Sequence, residues 1–247
     1  MNIRQYLDST YLKTAAQAGL SEADNTIVVT DCIQEAIDEN FKLIMIRPDQ
    51  VVLAKQMIVN SRSGVQVGTV IDFPKGQSSL EEKLAEAALA IENGADELDF
   101  VCDYESFKAG NTELVKNEVV QGTKLGLENG KIVKWIIEVA ALNDKQIIQI
   151  ATLIKNCIIS NFEEDQYCSV FVKSSTGFYK TEDGFPNGAT VPTIIMMLEN
   201  ASPLPVKAAG GVRTYAEAKE MINLGVKRIG TSGAKAIANG AVTESEY

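Results

Sequence analysis

Eight short apolar segments alternate with eight helical patterns along the 247 residues of the chain. Short apolar runs of this kind are typical of strands buried on both faces, and their alternation with helices predicts parallel pairing. The strands are predicted at 6–10, 43–46, 65–71, 97–101, 133–139, 169–173, 204–209 and 228–233. Eight such units in about 250 residues favour an α/β fold of the closed (β/α)8 barrel type over an open doubly wound sheet. No linker rich in Pro, Gly or Ser divides the chain, so we predict one domain over 1–247 with a mobile tail at 240–247.

The composition narrows the classes of function. A formal net charge of −10 disfavours sequence-independent binding to nucleic acid or to an anionic membrane. The chain begins without an apolar leader, has no segment long enough to span a bilayer, and has four cysteines without metal-binding spacing, so we expect a cytoplasmic protein. The absence of histidine excludes Ser-His and Cys-His triads and His-ligated metal sites. Acid–base chemistry therefore falls to Lys, Asp, Glu, Tyr or water, and we predict no metal and no cofactor.

A lysine at the end of a buried strand is the first sign of chemistry. The apolar run 169–172 ends at Lys173, and three hydroxyl residues and Gly177 follow it. Burial of an unpaired ammonium group is unfavourable, so such a lysine either shifts its pKa or extends out to solvent. The octapeptide 171–178 by itself leaves both interpretations open.

A second lysine, Lys207, lies one βα unit later at the end of the next predicted strand. Neighbouring strands are roughly 4.8 Å apart, so the two ammonium groups would share a small space and one pKa would fall. A neutral amine attacks carbonyl carbons, which favours Schiff-base chemistry at Lys173. Pairing of each lysine with an acid is the structural alternative.

Two acids of the fourth strand, Glu97 and Asp99, alternate with apolar residues and so share one face. Asp99 lies two strands from Lys173, and alternate barrel strands contribute to the same layer of side chains. We expect Asp99 to relay protons through a water molecule, to pair with Lys207, or to do both.

Three further residues are predicted to line the site. Asp8 either points inward near the end of the first strand or caps a following turn. Glu138, after the fifth strand, either supports the site from behind or contacts the substrate. Thr176 belongs to the octapeptide after the sixth strand.

Glycines follow the last three predicted strands, which favours phosphate binding. Gly210 and Gly211 follow the seventh strand, Gly230 and Ser232 belong to the eighth strand and its turn, and Gly177 adds a third position. Free backbone N–H groups in these loops are the frequent phosphate site of such barrels. The alternative is that the glycines only terminate strands.

Five segments resemble the motifs of 2-deoxyribose-5-phosphate aldolases, in the family's order and over nearly the whole chain. They are residues 7–10, 94–99, 171–178, 206–214 and 228–232. The octapeptide FVKSSTGF and the pattern Lys-x-x-Gly-Gly-x-Arg-Thr at 207–214 are the specific ones. One departure is Gly233, which stands where the family commonly has a second serine, and this puts one phosphate contact in doubt.

The resemblance implies a class I aldolase of carbohydrate and deoxyribonucleotide catabolism. Such a lyase reversibly cleaves 2-deoxy-D-ribose 5-phosphate to D-glyceraldehyde 3-phosphate and acetaldehyde without a metal. By motif position, Lys173 resembles the Schiff-base lysine, Lys207 the lysine that lowers its pKa, and Asp99 the proton-relay acid. In some family members a terminal tyrosine on a mobile tail assists proton transfer. Tyr247 is either that residue or a disordered end, and a homodimer stays open.

Two alternatives compete with this interpretation. Another Schiff-base sugar-phosphate aldolase or a transaldolase would share Lys173 and the phosphate loops but prefer a ketone donor. A non-catalytic sugar-phosphate-binding protein would be expected to have lost Lys173, Lys207 or Asp99, and the chain retains all three.

Overall fold

The computed structural model is a closed barrel of eight parallel strands in sequence order, with helices between the strands. The structure describes residues 2–182 and 185–240. The predicted (β/α)8 fold is therefore confirmed. Tyr247 and the predicted tail from residue 241 onward lie outside the described residues.

Each strand of the barrel is short and pairs with its two neighbours in parallel register. The strands are β1 (Leu7–Thr10), β2 (Leu43–Ile46), β3 (Gln66–Ile71), β4 (Glu97–Val101), β5 (Ile132–Ile136), β6 (Val170–Lys173), β7 (Val206–Ala209) and β8 (Arg228–Thr231). The pairing of β1 with both β2 and β8 closes the barrel, which leaves no strand edge exposed.

Ten α-helices surround the barrel within the described residues. They are α1 (Ala15–Ala18), α2 (Glu22–Asp38), α3 (Val51–Asn60), α4 (Leu80–Glu92), α5 (Tyr104–Lys108), α6 (Thr112–Glu128), α7 (Asp144–Asn161), α8 (Val191–Ala201), α9 (Tyr215–Leu224) and α10 (Ala234–Ala238). Side-chain caps fix several of the starts, as the sequence predicts. The spacing of Ser78 and Glu81 predicts a capping box at the start of α4; in the structure it lies one residue later, where the Ser79 hydroxyl accepts the N–H of Glu82.

Some predicted boundaries are wrong for identifiable reasons. The sequence pattern predicts one helix from Tyr104 to Gly126, but the structure has two, because Gly110 adopts a left-handed conformation (φ 90°) that ends the first one. The strand predicted at 133–139 ends at Ile136, because Glu138 has φ 53° and turns the chain away. The strand predicted from Leu204 begins at Val206, because Pro205 has no N–H to donate to a neighbour.

The main apolar core lies between the outer face of the barrel and the helices. Trp135 stacks on Phe100 with ring centroids 4.9 Å apart, and its indole N–H donates to Thr123. Helix α6 reaches this layer through glycine: a Cβ on Gly126 would lie 2.2 Å from Val133. This packing fixes β4 and β5 and so positions the side chains on their inner faces.

None of the helices that the structure describes combines the length and the apolar character needed to cross a membrane.

Candidate active site

The inner face of the barrel brings together three of the predicted residues near its C-terminal end. Lys173 and Lys207 are Cα partners on neighbouring strands. Their Nζ atoms each lie 2.9 Å from the same oxygen of Asp99, Oδ2. Lys173 is 3% exposed, and Lys207 and Asp99 are fully buried. The two lysines therefore meet on one carboxylate, which is the juxtaposition that the strand spacing predicts.

These residues belong to a closed ring of alternating charges inside the barrel. Along one half, Asp99 Oδ1 contacts Lys134 Nζ at 2.6 Å, and Lys134 Nζ contacts Glu97 Oε2 at 2.5 Å. Arg228 closes that half, because its Nη1 and Nη2 donate to the two oxygens of Glu97 at 3.0 and 3.1 Å.

The other half of the ring runs through Asp8. Arg228 Nε donates to Asp8 Oδ1 at 2.7 Å, and Asp8 Oδ2 lies 2.6 Å from Lys207 Nζ. Asp8 thus points inward, and the alternative that it caps a turn is wrong, since Thr14 caps α1. Every member of the ring is buried.

The ring contains three carboxylates and three cationic side chains, so its charges balance without Lys173. Lys173 is a fourth cation, attached to the ring through Asp99 alone. Burial lowers the pKa of Lys173 to about 8, against the attraction of Asp99 and with the added repulsion of Lys207. Desolvation thus lowers the pKa of Lys173 more than the charge of Lys207 does, whereas the sequence pattern indicated Lys207 as the cause.

Asp99 and Asp8 are held in the ionised form. Burial alone would raise the pKa of Asp99, but the three surrounding lysines hold that pKa well below its usual range. The pKa of Asp8 is also lowered, because Arg228 and Lys207 outweigh its burial. A carboxylate held this way organises cations more readily than it takes up a proton.

Sequence reasoning missed Lys134 and Arg228 as members of the site and noted Glu97 only as a neighbour of Asp99 on one strand face. A signal in the sequence could have identified Lys134 and Arg228, because each is a charged residue within a largely apolar strand. The barrel register places them beside Asp99 and Lys207. A charged residue at an inward position of a closed barrel needs a partner of opposite charge inside it.

The loop after Lys173 is held by Glu138. The Glu138 carboxylate accepts the Ser175 hydroxyl at 2.6 Å, the Thr176 N–H at 3.1 Å, and the Thr176 hydroxyl through a short hydrogen bond. Burial raises the pKa of Glu138, although these hydrogen bonds oppose the rise. Glu138 and Thr176 therefore support the loop from behind, the first of the two roles left open for Glu138.

The predicted phosphate residues divide into two groups. Gly210 and Gly211 have φ 80° and 84°, and their N–H groups donate to no acceptor within 2–182 or 185–240. Successive N–H groups in such a turn form an anion-binding concavity. Gly177, by contrast, donates its N–H to Ser175 Oγ at 3.0 Å.

Gly230 and Ser232 lie on and after β8. A Cβ on Gly230 would lie 3.2 Å from Lys207 Cε, so this glycine makes room for the second lysine. Ser232 is half-buried in the turn that follows β8, whereas Gly210 is buried and Gly211 is exposed.

Apolar side chains form the rest of the barrel mouth. Leu12, Leu43, Met45 and Val70 form one cluster, and Phe73 and Phe178 pack against it. The two phenylalanine rings meet edge to face with centroids 5.0 Å apart. Phe73 also packs against a second cluster that contains Val101, Tyr104 and Ile136. The register pairs Leu43 with Asp8 and Val70 with Asp99, so this apolar cluster lies beside the ionic ring, on β2 and β3.

Oxygen ligands for a metal are not grouped at this site. No set of three or more His, Cys, Asp or Glu side chains in residues 2–182 and 185–240 is arranged to hold a metal ion. The three ring carboxylates are each paired with cations instead.

Comparison with known proteins assigns the chain to a class. A protein-family profile described as DeoC/LacD family aldolase matches residues 12–243. The deoxyribose-phosphate aldolase of Thermococcus kodakarensis is 37% identical over 98% of both chains, and that of Streptococcus gordonii is 34% identical over the full length of both.

Solved structures agree. An aldolase named QR15 superposes with a TM-score of 0.80 at 28% identity, over 97% of this chain and 95% of its own. The deoxyribose phosphate aldolase of Aeropyrum pernix, described as tetrameric, gives a TM-score of 0.76 at 30% identity, over 96% and 89%.

Lys173→Met is expected to stabilise the protein at neutral pH. In the folded state the pKa of Lys173 is about 8, below its ordinary value of 10.5. Protonation is therefore disfavoured by folding at pH 7, and this cost disappears as the pH rises from about 8 to above 10. Chemical unfolding should show a gain of about 2 kcal/mol at pH 7 that shrinks by pH 9.5. The exposed Lys219→Met serves as the control, and a loss of stability at pH 7 would contradict the charge count.

Proposed function

The chain belongs to the DeoC/LacD family of aldolases, and on that premise we propose that it is a deoxyribose-phosphate aldolase that acts through a Schiff base on Lys173. It reversibly cleaves 2-deoxy-D-ribose 5-phosphate to D-glyceraldehyde 3-phosphate and acetaldehyde. The observation that carries the proposal is the position of Lys173 as the one cation beyond a balanced ring, with a pKa of about 8. At pH 7 about a tenth of such a lysine is neutral, several hundred times more than for an ordinary lysine.

The first steps attach the substrate to the enzyme. The neutral Nζ of Lys173 adds to the aldehyde carbon C1 of the open-chain sugar to give a carbinolamine, which takes up one proton and loses water to give an iminium ion. The iminium restores the fourth positive charge beside the balanced ring, and this charge draws electrons from the C2–C3 bond of the substrate. The positive charge disappears when an electron pair from a breaking bond moves towards the iminium nitrogen.

Cleavage of the C2–C3 bond provides those electrons. The bond pair moves towards the iminium nitrogen to form a neutral enamine, while the C3 hydroxyl gives up its proton and becomes the aldehyde of glyceraldehyde 3-phosphate. Protonation of the enamine at C2 and hydrolysis then release acetaldehyde and free Lys173. The surplus charge thus favours both the neutral amine and the collapse of the iminium.

Asp99 and Lys207 direct the proton transfers. Asp99 Oδ2 holds both ammonium groups at 2.9 Å, so it orients Lys173 for attack and keeps Lys207 beside it. Because the pKa of Asp99 lies well below its usual range, it takes up a proton only transiently. A water molecule linked to Asp99 and Lys207 is the more effective relay to the C3 hydroxyl.

Phosphate binding is assigned to the loops after β7 and β8. The N–H groups of Gly210 and Gly211, which donate to no acceptor in the part of the chain that the structure describes, support this assignment, with Gly230 and Ser232 beside them on β8 and its turn. The β6 loop contributes through Gly177 only if its N–H leaves Ser175.

Tyr247 is proposed as a proton-transfer residue on the family resemblance alone. The cytoplasmic location and the homodimer also stay predictions, which cell fractionation and light scattering test. The four unpaired cysteines, of which Cys168 is exposed, are in keeping with a reducing compartment.

Reductive trapping tests the Schiff base. Incubation with acetaldehyde and borohydride should place an ethyl group on Lys173, detected by mass spectrometry, because the neutral amine forms an imine that borohydride reduces. Lys173→Met should give no adduct there, and the exposed Lys219→Met should give the wild-type adduct. A chain that lacks Tyr247 should form the adduct but exchange the methyl protons of acetaldehyde with solvent more slowly.

The same experiment separates the alternatives. Dihydroxyacetone phosphate in place of acetaldehyde should trap poorly on Lys173, whereas a ketone-using aldolase would trap it well. Adducts confined to surface lysines would exclude Schiff-base catalysis and favour a binding protein.

Gly211→Ala tests the phosphate site. The left-handed φ of Gly211 is unfavourable for alanine by about 1 kcal/mol, so the turn should shift and its N–H groups should leave the phosphate. We expect kcat/KM for 2-deoxyribose 5-phosphate to fall at least about tenfold, and kcat/KM for unphosphorylated 2-deoxyribose to change much less. Gly130→Ala carries the same strain at φ 65° in the turn before β5 and serves as the control. An equal fall for both substrates would remove the phosphate role.

A further inference from the structure

A second buried ion pair lies outside the barrel, between α4 and α6, and takes no part in the ring. Lys83 is 1% exposed, and its Nζ lies 2.5 Å from Glu118 Oε2. Glu118 is also buried. A buried ion pair is by itself weak evidence for stability, because well-packed apolar residues often serve as well. Its contacts indicate what it does.

The pair holds two loops at the C-terminal end of the barrel. Lys83 Nζ donates to the carbonyl of Gly76 at 2.9 Å and to that of Val101 at 3.0 Å. Glu118 Oε1 accepts the N–H of Asp103 at 2.8 Å. Gly76 belongs to the loop after β3, while Val101 and Asp103 mark the end of β4. One ammonium and one carboxylate thus join the β3–α4 loop to the end of β4.

The β3–α4 loop sits on β4 without room to spare. Gly76 has φ 67°, and a Cβ there would lie 2.4 Å from the carbonyl oxygen of Cys102. Asp72, at the start of the loop, lies 3.4 Å from Lys83 Nζ and accepts both the N–H and the hydroxyl of Ser78. The loop is therefore fixed at its start, its middle and its end.

This loop carries Phe73 to the apolar clusters beside the ring. The Phe73 ring packs against apolar residues of β2 to β5 and meets Phe178, which follows the lysine loop. The Arg47 guanidinium lies 5.0 Å from the centre of the same ring. The contact between Phe73 and Phe178 thus links the β3–α4 loop to the loop after Lys173.

We propose that Lys83 and Glu118 are positioning residues for the Schiff-base site, because their ion pair fixes the β3–α4 loop and, through Phe73, keeps water away from Lys173. The proposal rests on the function proposed above. Neither side chain contacts a member of the ring, so their effect on Lys173 passes through the β3–α4 loop and the end of β4.

Loss of the Lys83–Glu118 pair is expected to raise the pKa of Lys173. Burial is the largest cause of the lowered pKa of Lys173. A loosened loop would admit water, and the pKa would rise towards its ordinary value. The charged groups that face Lys173 are Asp99, Lys207, Lys134 and Glu138. The variant keeps all four side chains, so a shift does not come from the loss of a charge that faces Lys173.

Competitive acetylation measures this effect without relying on catalysis. Acetic anhydride labels neutral amines, so the pH midpoint of labelling at Lys173, read by mass spectrometry, gives its pKa. The test variant is Lys83→Met with Glu118→Leu, which removes both charges at similar volume. Lys83→Met alone would leave Glu118 buried and unpaired, which strongly destabilises the fold. We expect the midpoint to rise by about one pH unit, and kcat/KM at pH 7 to fall up to about tenfold with recovery near pH 9.

Lys55→Met is the matched control. Lys55 pairs with Asp96 at 2.7 Å before the start of β4, at the opposite end of the barrel, so its loss should leave the Lys173 midpoint unchanged. A folded double variant with an unchanged midpoint would overturn the proposal, as would an equal shift in Lys55→Met. If acetaldehyde fails to trap on wild-type Lys173 while the acetylation midpoint still shifts in the double variant, the aldolase function fails and the positioning role stands.

Discussion

Three carboxylates and three cations neutralise one another inside the barrel, and Lys173 is the cation left over. Asp8, Glu97 and Asp99 alternate with Lys134, Lys207 and Arg228 in a closed ring of contacts between 2.5 and 3.1 Å. A balanced ring tolerates burial because each charge has partners on both sides. The additional cation does not have this protection, and burial lowers its pKa to about 8. The reactivity of Lys173 thus follows from a charge count as much as from its immediate neighbour.

The barrel fold makes this arrangement possible. Its closed, parallel strands aim inward side chains from β1, β4, β5, β6, β7 and β8 at one volume, and no single strand or loop could assemble the ring. The apolar half of the mouth, formed from β2 and β3 with Phe73 and Phe178, excludes water from the same volume. The surplus charge and the exclusion of water therefore act together, because water would screen the repulsion between Lys173 and the other buried cations.

Most of this fold could be predicted from the sequence, because eight apolar runs and their helical partners leave one compact arrangement. Lys173, Lys207 and Asp99 could be predicted because they end or occupy apolar strands, where an unpaired charge is conspicuous. The closure of the ring through Lys134 and Arg228 could not be predicted, because it depends on which side chains of distant strands point into the barrel and meet there. The support role of Glu138 was equally hidden, because it depends on a left-handed turn at φ 53° that propensity does not predict.

The central claim is that Lys173 carries a lowered pKa because it is the surplus buried cation. Carbon-13 NMR of protein labelled at the lysine ε-carbon, titrated from pH 6 to 11, measures that pKa directly. The account predicts a midpoint near 8 for Lys173 and a higher midpoint in Lys207→Met, which removes one cation and leaves Asp99 Oδ2 to Lys173. A wild-type midpoint near 10.5, or one unchanged in Lys207→Met, would contradict it.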